Sequence, residues 1–417
     1  MTLSPLLGAA IPVPSFPPSE TAVLESLQSA IDTVIGPAAA QTDAVGRYPT
    51  ASVAALKASG ILALAVPTQF GGIGSGHRAS LEAQVRLGMA DSSVAQIFKI
   101  HDELVREIFV YCPDALRPVL AAQIVSEQMI LGLAVAEAGR KVDDPWNTTA
   151  IAMDVDGHGG GYVIEGQKIY TTGAAEADLL AVWAFDPTAP DISINPLLGF
   201  VLNLLPRGTR GVEIHRDWDA MGQRGTDSGT VTFAGVLTEP AWRASIAGRA
   251  PLLQNSVRYQ AGFAAVLVGI GLGAVAAATP FVRHTSRPWP SAGVDSAADD
   301  PMVRRLCGEL VAQLSAAYAM TMCTGDLLDS FEVGDISRTE LAVPIYSAKA
   351  CASTAALRAT GEIHALMGTR SAARSTGFDR YWRNARVLSL HDPVDWKHEE
   401  IGRHVLTGWD PPPGIYT

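Results

Sequence analysis

The chain has 417 residues and a mass of 43.9 kDa, with 48% hydrophobic and 18% charged residues. This length allows two or three domains with large cores, and the composition excludes a disordered or fibrous protein. The net charge of −11 argues against broad nucleic-acid binding, which needs a positive surface to displace phosphate counterions. Residues 1–19 contain no Lys or Arg, so no signal peptide is predicted. The four cysteines are far apart, which predicts reduced, mostly buried thiols in a cytoplasmic protein.

The period of the apolar residues divides the chain into three zones. In the first zone, spacings of three and four residues predict helices at 21–35, 50–64, 79–89, 93–111 and 115–128. The second zone carries short strand-like runs at 160–169, 179–185, 198–205 and 230–233. A turn rich in glycine (Gly157, Gly159, Gly160, Gly161) precedes them, and the pattern favours an antiparallel sheet or small barrel. In the third zone, helices are predicted at 255–279, 300–332, 339–366 and 394–406.

These zones predict an α+β protein with three domains. The predicted domains are an N-terminal helical domain at 1–128, a middle β-domain at 129–240 and a C-terminal helical bundle at 241–417. The run 261–279 has no charge and is long enough to cross a bilayer. It is, however, dominated by Ala and Gly, which makes membrane insertion marginal and favours a helix buried in a bundle. No membrane span is therefore predicted.

Several short motifs suggest chemistry that their context does not support. The string G-I-G-L-G-A, from Gly269 to Ala274, resembles a dinucleotide fingerprint but lies inside a helical run, so close helix packing is predicted. The string G-T-D-S-G, at 225–229, predicts a turn in which Asp227 and Ser228 bond the local backbone. No H-E-x-x-H and no G-x-x-x-x-G-K-[ST] occur, so neither a metal site nor a nucleotide triphosphatase is supported.

Three residues are candidates for function because of their setting. His391 lies in L-H-D-P-V, where Pro393 ends a helix, and element ends expose side chains to clefts. Arg287 lies in a proline-flanked loop, and Arg370 follows M-G-T. Because guanidinium binds phosphate in a bidentate manner, such loop arginines could clamp an anionic cofactor.

Longer strings carry a family resemblance. The segments 66–74 and 160–180 resemble the acyl-CoA dehydrogenase superfamily, the second of them its flavin segment. A closer match is to the flavin-dependent monooxygenase branch, which is typified by the dibenzothiophene monooxygenases. The strings that carry it are D-W-D-A-M-G-Q-R-G-T-D-S-G (217–229), R-P-W-P-S-A-G-V (287–294), G-F-D-R-Y-W-R-N-A-R (377–386) and L-H-D-P-V-D-W-K (390–397). The resemblance runs from about residue 56 to the C-terminus and is stronger in the last 200 residues.

The resemblance implies an acyl-CoA dehydrogenase-like fold with an N-terminal helical domain, a middle antiparallel β-domain, a C-terminal four-helix bundle and a homotetramer. It implies FMN as a diffusible cofactor, delivered as FMNH2 by an NADH-dependent flavin reductase. In this branch the reduced flavin reacts with O2 to give a 4a-hydroperoxide, which needs a pocket that excludes water. The implied substrate is a hydrophobic aromatic or heterocyclic compound, such as a sulfur heterocycle in a desulfurization pathway.

The resemblance also implies roles for individual residues. Thr172 would lie near flavin nitrogen 5, and His391 would lie against the 4a position and hydrogen-bond the peroxide as a general acid. Arg370, and Arg287 from a neighbouring subunit, would bind the FMN phosphate. The implied cofactor-binding residues are Leu133, Ala134, Val135, Ala136, Glu137, Ala138, Lys168, Ile169, Tyr170, Thr171, Thr172, Arg287, Thr369, Arg370 and His391. The implied substrate pocket comprises Gln96, Ile100, His101 and Trp218.

Departures from the branch keep two alternatives open. Three polar active-site residues of the branch are matched here by Gln96, Ile100 and Leu133, and the neighbouring His101 could compensate for this loss. The losses leave open a non-catalytic protein that keeps the flavin fold. An FAD-dependent acyl-CoA dehydrogenase is the other alternative. It is disfavoured because Asp392, one methylene shorter and followed by proline, stands where that enzyme has its glutamate base.

Overall fold

A computed structural model describes residues 5–140, 146–153, 161–245 and 247–414. The first zone is helical, as predicted. Its helices are α1 (Pro5–Gly8), α2 (Pro18–Ala30), α3 (Gly36–Val45), α4 (Thr50–Ala58), α5 (His77–Ala90), α6 (Ser92–Tyr111) and α7 (Arg117–Ser126). A π-helical turn at Ile31–Ile35 joins α2 to α3, so the helix predicted at 21–35 continues to residue 45. Asp91 caps α6 by accepting hydrogen bonds from the backbone N–H groups of Ser93 and Val94.

The second zone forms one seven-stranded sheet. Its strands are β1 (Leu131–Ala134), β2 (Thr149–Ala152), β3 (Tyr162–Lys168), β4 (Leu179–Phe185), β5 (Phe200–Pro206), β6 (Val212–Ile214) and β7 (Val231–Leu237). The strand order is β1-β4-β2-β3-β7-β6, with β5 paired to β4. The sheet is mixed and not wholly antiparallel, because β1 and β2 both run parallel to β4. Of the predicted glycine turn, Gly157, Gly159 and Gly160 lie outside the described residues.

The third zone is a helical bundle, in agreement with its apolar period. It contains α8 (Asn255–His284), α9 (Pro301–Glu332), α10 (Arg338–Met367), α11 (Asp379–Ser389) and α12 (Val394–Thr407). The long helices α8, α9 and α10 pack on one another, while α11 and α12 pack against α10. Helix α5 of the first zone also packs on α8 and α9 and so joins the two helical zones. Helix α11 is absent from the sequence-based prediction.

Helix α8 is a core helix of the bundle. It is long and apolar enough to span a membrane, with a mean hydropathy of 2.1, yet 89% of its apolar stretch is buried inside the protein. A Cβ atom at Gly269 would lie 2.4 Å from the carbonyl oxygen of Val85, and one at Gly273 would lie 2.2 Å from that of Met89. The G-I-G-L-G-A string therefore lets α8 and α5 approach backbone to backbone, which confirms the predicted packing role.

The cysteines differ from the prediction in their exposure. All four are free thiols, but only Cys112 is buried, while Cys323 and Cys351 are exposed on the outer faces of α9 and α10. The prediction of mostly buried thiols is therefore wrong. Small residues around them made both helices seem apolar on more than one face.

Candidate active site

The two segments implied to bind the cofactor lie side by side. The N–H of Leu133 donates to the carbonyl of Thr172 (3.2 Å), and the N–H of Ile169 donates to that of Ala136 (3.0 Å). Tyr170 has a φ of 64°, in the left-handed region, and its exposed ring meets Trp218 edge to face at 6.1 Å. A non-glycine residue in this region carries strain, which accumulates at functional sites.

Two charged side chains in these segments belong to the fold. The Lys168 ammonium lies 2.8 Å from a carboxylate oxygen of Glu137, and both side chains are buried. The same carboxylate accepts the N–H of Thr148 (2.8 Å), and the ammonium lies 4.1 Å from the centre of the Trp146 ring. Burial lowers the pKa of Lys168 to about 8 despite this pairing. Neither side chain is free to contact a ligand, so a ligand that binds at this part of the segment contacts its backbone groups.

A chain of hydroxyl groups leads away from Thr172. Its Oγ1 lies 2.9 Å from Ser228 Oγ, which donates to Thr226 Oγ1 (2.8 Å), and that hydroxyl donates to the carbonyl of Gln223 (2.8 Å). The turn predicted at 225–229 is present, but Ser228 reaches across to Thr172 and does not bond its own backbone. Ser228 is thus a site residue that local sequence reasoning misses. The family-like string that contains it could have identified it.

The loop at 217–229 also docks the sheet onto the helices. The N–H of Gln223 donates to Asn384 Oδ1 on α11 (2.6 Å), and its side-chain amide donates to Ser92 Oγ at the start of α6 (3.0 Å). A Cβ atom at Gly222 would lie 2.3 Å from the carbonyl oxygen of Arg383, so only glycine fits there. The indole N–H of Trp218 donates to the Gln223 carbonyl (2.9 Å). Because α11 leads into His391, this loop links Thr172 to the imidazole.

Helix α6 carries the residues implied to line the substrate pocket. Gln96 is 7% exposed, and its side-chain oxygen has no hydrogen-bond partner within the described ranges. Ile100, one turn further along, is buried and apolar. His101 is fully buried; its Nδ1 accepts the N–H of Leu131 (3.2 Å) and its Nε2–H donates to the Leu62 carbonyl (2.9 Å). His101 therefore supports the fold and cannot replace the polar groups lost at Ile100 and Leu133.

His391 lies in the turn between α11 and α12. The residue is exposed at the surface, but protein groups pack around its ring, whose centre lies 4.1 Å from that of Phe263. Burial, then Lys349 and Lys99, lower the pKa of His391 to about 3, so the imidazole is neutral near pH 7. The next residue, Asp392, is buried and lies 3.2 Å from the Lys397 ammonium. An ion-paired carboxylate in this setting is not a free base.

The two arginine loops meet at the far end of the bundle. Arg370 donates to the carbonyl of Thr285, and Ser286 Oγ donates to that of Met367 (2.8 Å), which joins the loop of Arg370 to that of Arg287. Both arginines and Thr369 are exposed. Residues 263 and 285 are separated by 22 positions of chain, nearly all within α8, or about 33 Å at 1.5 Å per residue. Both arginines therefore lie about a helix length from Phe263 and the His391 ring, and the assignment of Arg370 to the FMN phosphate stays a prediction.

Comparisons with known proteins agree with this architecture. Family models for the N-terminal, middle and C-terminal domains of acyl-CoA dehydrogenases match residues 17–128, 132–236 and 261–396. Dibenzothiophene monooxygenase of Mycolicibacterium goodii is 34% identical over 393 residues, which cover 90% of this chain and 91% of that protein. A probable FMNH2-dependent monooxygenase of Pseudomonas putida, SfnC, is 30% identical over 393 residues, covering 91% and 93% of the two chains.

Solved structures match over nearly the whole length. FMN-bound TdsC from Paenibacillus sp. A11-2 superposes with a TM-score of 0.87 at 30% identity, covering 95% of this chain and 100% of that one. A second structure of TdsC holds FMN and indole, with the same TM-score and identity, and covers 95% and 99% of the two chains. The chain therefore belongs to the acyl-CoA dehydrogenase superfamily, and within it to the flavin-dependent monooxygenase branch.

Proposed function

We propose that the protein is an FMNH2-dependent monooxygenase that oxygenates a hydrophobic aromatic or heterocyclic substrate. One atom of O2 enters the substrate and the other leaves as water, with reduced FMN as the source of two electrons. The observation that carries this proposal is a neutral, exposed imidazole packed against Phe263, in a chain 34% identical to dibenzothiophene monooxygenase. A sulfur-containing substrate, and with it a role in desulfurization, is the finer form of the same proposal.

The residues of the proposed site fit a flavin. The backbone strands at 133–138 and 168–172 run side by side, and the Thr172 hydroxyl is held in place by Ser228. The side-chain oxygen of Gln96 is buried and lacks a partner among the described residues, as expected for a polar group that meets a ligand. The Arg287 guanidinium is exposed and can bind a phosphate with two hydrogen bonds. A second copy of the chain would bring it to the proposed site.

The side chains of the proposed site then have separate chemical roles. Reduced FMN, when bound, supplies the electrons and activates O2. The neutral His391 imidazole has one N–H to donate to the bound oxygen and is the proposed general acid. Thr172, oriented by Ser228, is proposed to bind the edge of the cofactor ring. The apolar side chains of Ile100, Leu133 and Phe263 keep water out, which favours oxygen transfer over release of H2O2.

The acyl-CoA dehydrogenase alternative is disfavoured by the setting of Asp392. A dehydrogenase needs a carboxylate free to take the α-proton of its substrate. Here the carboxylate is buried and paired with Lys397, which also pairs with Glu400 at 2.9 Å. This geometry supports a monooxygenase without a carboxylate base, while FMN as the cofactor is supported by the FMN-bound structure of TdsC.

Reconstitution tests the proposal. Purified protein is mixed with an NADH-dependent flavin reductase, FMN, NADH and either dibenzothiophene or indole, and oxygenated products are measured by mass spectrometry. We expect product with the wild-type chain and a roughly 10²- to 10⁴-fold lower yield per NADH with His391→Ala, the range for loss of a general acid. Failure of the wild type to bind FMN or to form product would refute the proposal, as would an unchanged yield with His391→Ala.

The proposed setting of the enzyme follows from the same argument. A reductase partner is required because the chain carries no nicotinamide fingerprint in a strand–turn–helix context. We infer an oligomer, because the arginine loops must come from another copy, and the family resemblance makes it a homotetramer. We also infer a cytoplasmic location, because the cysteines are free thiols. The division into domains at residues 128 and 240 is part of the same proposal.

A further inference from the structure

Three lysines are fully buried near His391 and Asp392. They are Lys99 on α6, Lys349 on α10 and Lys397 on α12. Charged side chains are almost never fully buried unless they are paired, because removing a charge from water is costly. Three of them around one histidine therefore call for a physical explanation.

The carboxylates of this region serve other cations. Asp392 and Glu400 pair with Lys397, at 3.2 and 2.9 Å. Glu103 pairs with the Arg258 guanidinium. Of the other buried acids on α6, Asp102 lies 3.5 Å from the Arg106 guanidinium and Glu107 accepts a hydrogen bond from Asn255. Lys99 and Lys349 thus have no carboxylate at ion-pair distance in the described part of the chain.

Lys99 and Lys349 rest on an aromatic ring. The Lys99 ammonium lies 4.0 Å from the centre of the Phe263 ring and 4.4 Å from that of Tyr259. The Lys349 ammonium lies 4.6 Å from the Phe263 ring centre and donates to Gln260 Oε1 at 3.3 Å. The same Phe263 ring packs against His391 at 4.1 Å. Two cations and the imidazole therefore share one phenyl ring.

Helix α8 has a glycine where the Lys99 side chain packs against it. A Cβ atom at Gly262 would lie 2.7 Å from Lys99 Cε, so a glycine on α8 leaves the space through which this stem passes. The nitrogen itself has no hydrogen-bond partner within the described ranges. Lys99 is thus placed for its charge and not for a hydrogen bond.

We propose that Lys99 and Lys349 are positioning residues that act across the Phe263 ring to keep the His391 imidazole uncharged. A positive charge nearby disfavours a second positive charge on the ring. The neutral form keeps one N–H to donate and one lone pair to accept. Its use in oxygen transfer rests on the proposed function, but the electrostatic effect does not.

Both lysines carry their charge in the pH range in which an ordinary histidine becomes protonated. Burial lowers the pKa of Lys349 to about 7 and that of Lys99 to about 8. Both ammonium groups are therefore charged below pH 7, the range in which an ordinary histidine takes up its proton. The other charged groups around His391 are Asp392 and Lys397 with Glu400, and Arg258 with Glu103, and each of these sets contains both signs.

Titration of His391 by NMR tests the proposal without requiring turnover. Protein with ¹³C-labelled histidine and no flavin is titrated from pH 8 down to 3, and the His391 resonance is assigned by its loss in His391→Gln. We expect the wild-type midpoint to lie at about pH 3, the acid end of this range. In Lys349→Met the midpoint should rise by about one pKa unit, and in Lys99→Met by less, because Lys349 lowers the pKa of the imidazole more than Lys99 does. Lys349→Arg, which keeps the charge, should leave the midpoint low.

The outcomes separate this role from the proposed function. A His391 midpoint unmoved in both methionine variants would overturn the proposal, and so would an equal rise in Lys349→Arg. If Lys349→Met does not fold, Lys99→Met alone decides by the same criterion. In the reconstituted assay, the acidic limb of the pH–rate profile of Lys349→Met should lie about one pH unit above that of the wild type. A wild type without activity but with the predicted midpoints would refute only the enzymatic proposal.

Discussion

At the scale of single residues, two histidines other than His391 are buried and have lowered pKa values. His77 lies at the start of α5, with its Nδ1 2.7 Å from Asp329, and His101 lies inside α6 with both ring nitrogens bonded to backbone. Burial lowers the pKa of His77 to about 3 and that of His101 to about 4. In the unfolded chain both return to about 6.5.

These histidines predict a loss of stability in acid. Between about pH 4 and 6.5 the unfolded chain binds more protons at both positions, so their contribution to the unfolding free energy falls as the pH is lowered. Burial also raises the pKa of Asp91 to about 6, which opposes this trend, so the difference between variants is the useful quantity. We measure the free energy of unfolding in urea as a function of pH. Its slope should be smaller in His77→Gln than in the wild type by about 1.4 kcal/mol per pH unit, which corresponds to one proton.

The control for this measurement is His398→Gln, because His398 is exposed on α12. Its unfolding free energy should depend on pH as that of the wild type does. Equal slopes for His77→Gln and the wild type between pH 4.5 and 6.5 would contradict the prediction.

Residue roles were predictable from the sequence only where a motif or an element end exposed them. His391 was singled out by the proline that follows two residues later, and Thr172 by the flavin-like segment. The pairing of Lys168 with Glu137 and the contact of Ser228 with Thr172 join residues 31 and 56 positions apart. No local pattern marks such contacts, since they depend on how the sheet and its loops fold back. The sequence therefore predicted which segments form the site better than which side chains are free within it.

At the scale of elements, the contact between α5 and α8 depends on glycine. In Gly269→Ala the new methyl group would meet the Val85 carbonyl oxygen at 2.4 Å, and a backbone atom cannot move aside as a side chain can. We expect urea unfolding to show a loss of about 1–3 kcal/mol, the range for overpacked cores.

Gly308→Ala is the matched control on the exposed face of α9. A Cβ atom there meets nothing within 4 Å, so helix propensity alone applies and stability should rise by up to about 1 kcal/mol. The two substitutions should therefore have opposite signs. Equal effects would show that the close approach of the helices does not govern stability.

Long elements were easier to predict than short ones. The apolar run of α8 identified a buried helix, and the structure extends it only to His284. The strands β1, β2 and β6 have three or four residues each and were not predicted. Strands this short gain their stability from neighbours in the sheet and not from their own composition. Helix α11 was missed although its buried residues Tyr381, Ala385 and Leu388 follow the helical spacing of four and three positions.

At the scale of the whole molecule, α8 separates two parts of one proposed site. Phe263, near the start of the helix, packs against His391, whereas Thr285, just after its end, accepts a hydrogen bond from Arg370. At about 33 Å apart along the helix, these groups cannot surround one cofactor within a single chain. An isologous contact between copies would bring the arginine end of one chain to the histidine end of the other.

Complementation between two inactive variants tests this arrangement. His391→Ala and Arg370→Ala chains with different tags are expressed together, and oligomers that carry both tags are purified. Each variant alone should have little monooxygenase activity. In the mixed oligomer, about one site in four should combine an intact His391 from one chain with an intact Arg370 from the other by random pairing, so activity should return. Oligomers of His391→Ala with the double variant His391→Ala/Arg370→Ala contain no intact imidazole and should stay inactive. The contrary outcome has two parts: the mixed oligomers of the two single variants also stay inactive, and Arg370→Ala alone binds FMN less tightly than the wild type. In that case the arginine and the histidine act within one chain, and the arrangement across subunits is wrong.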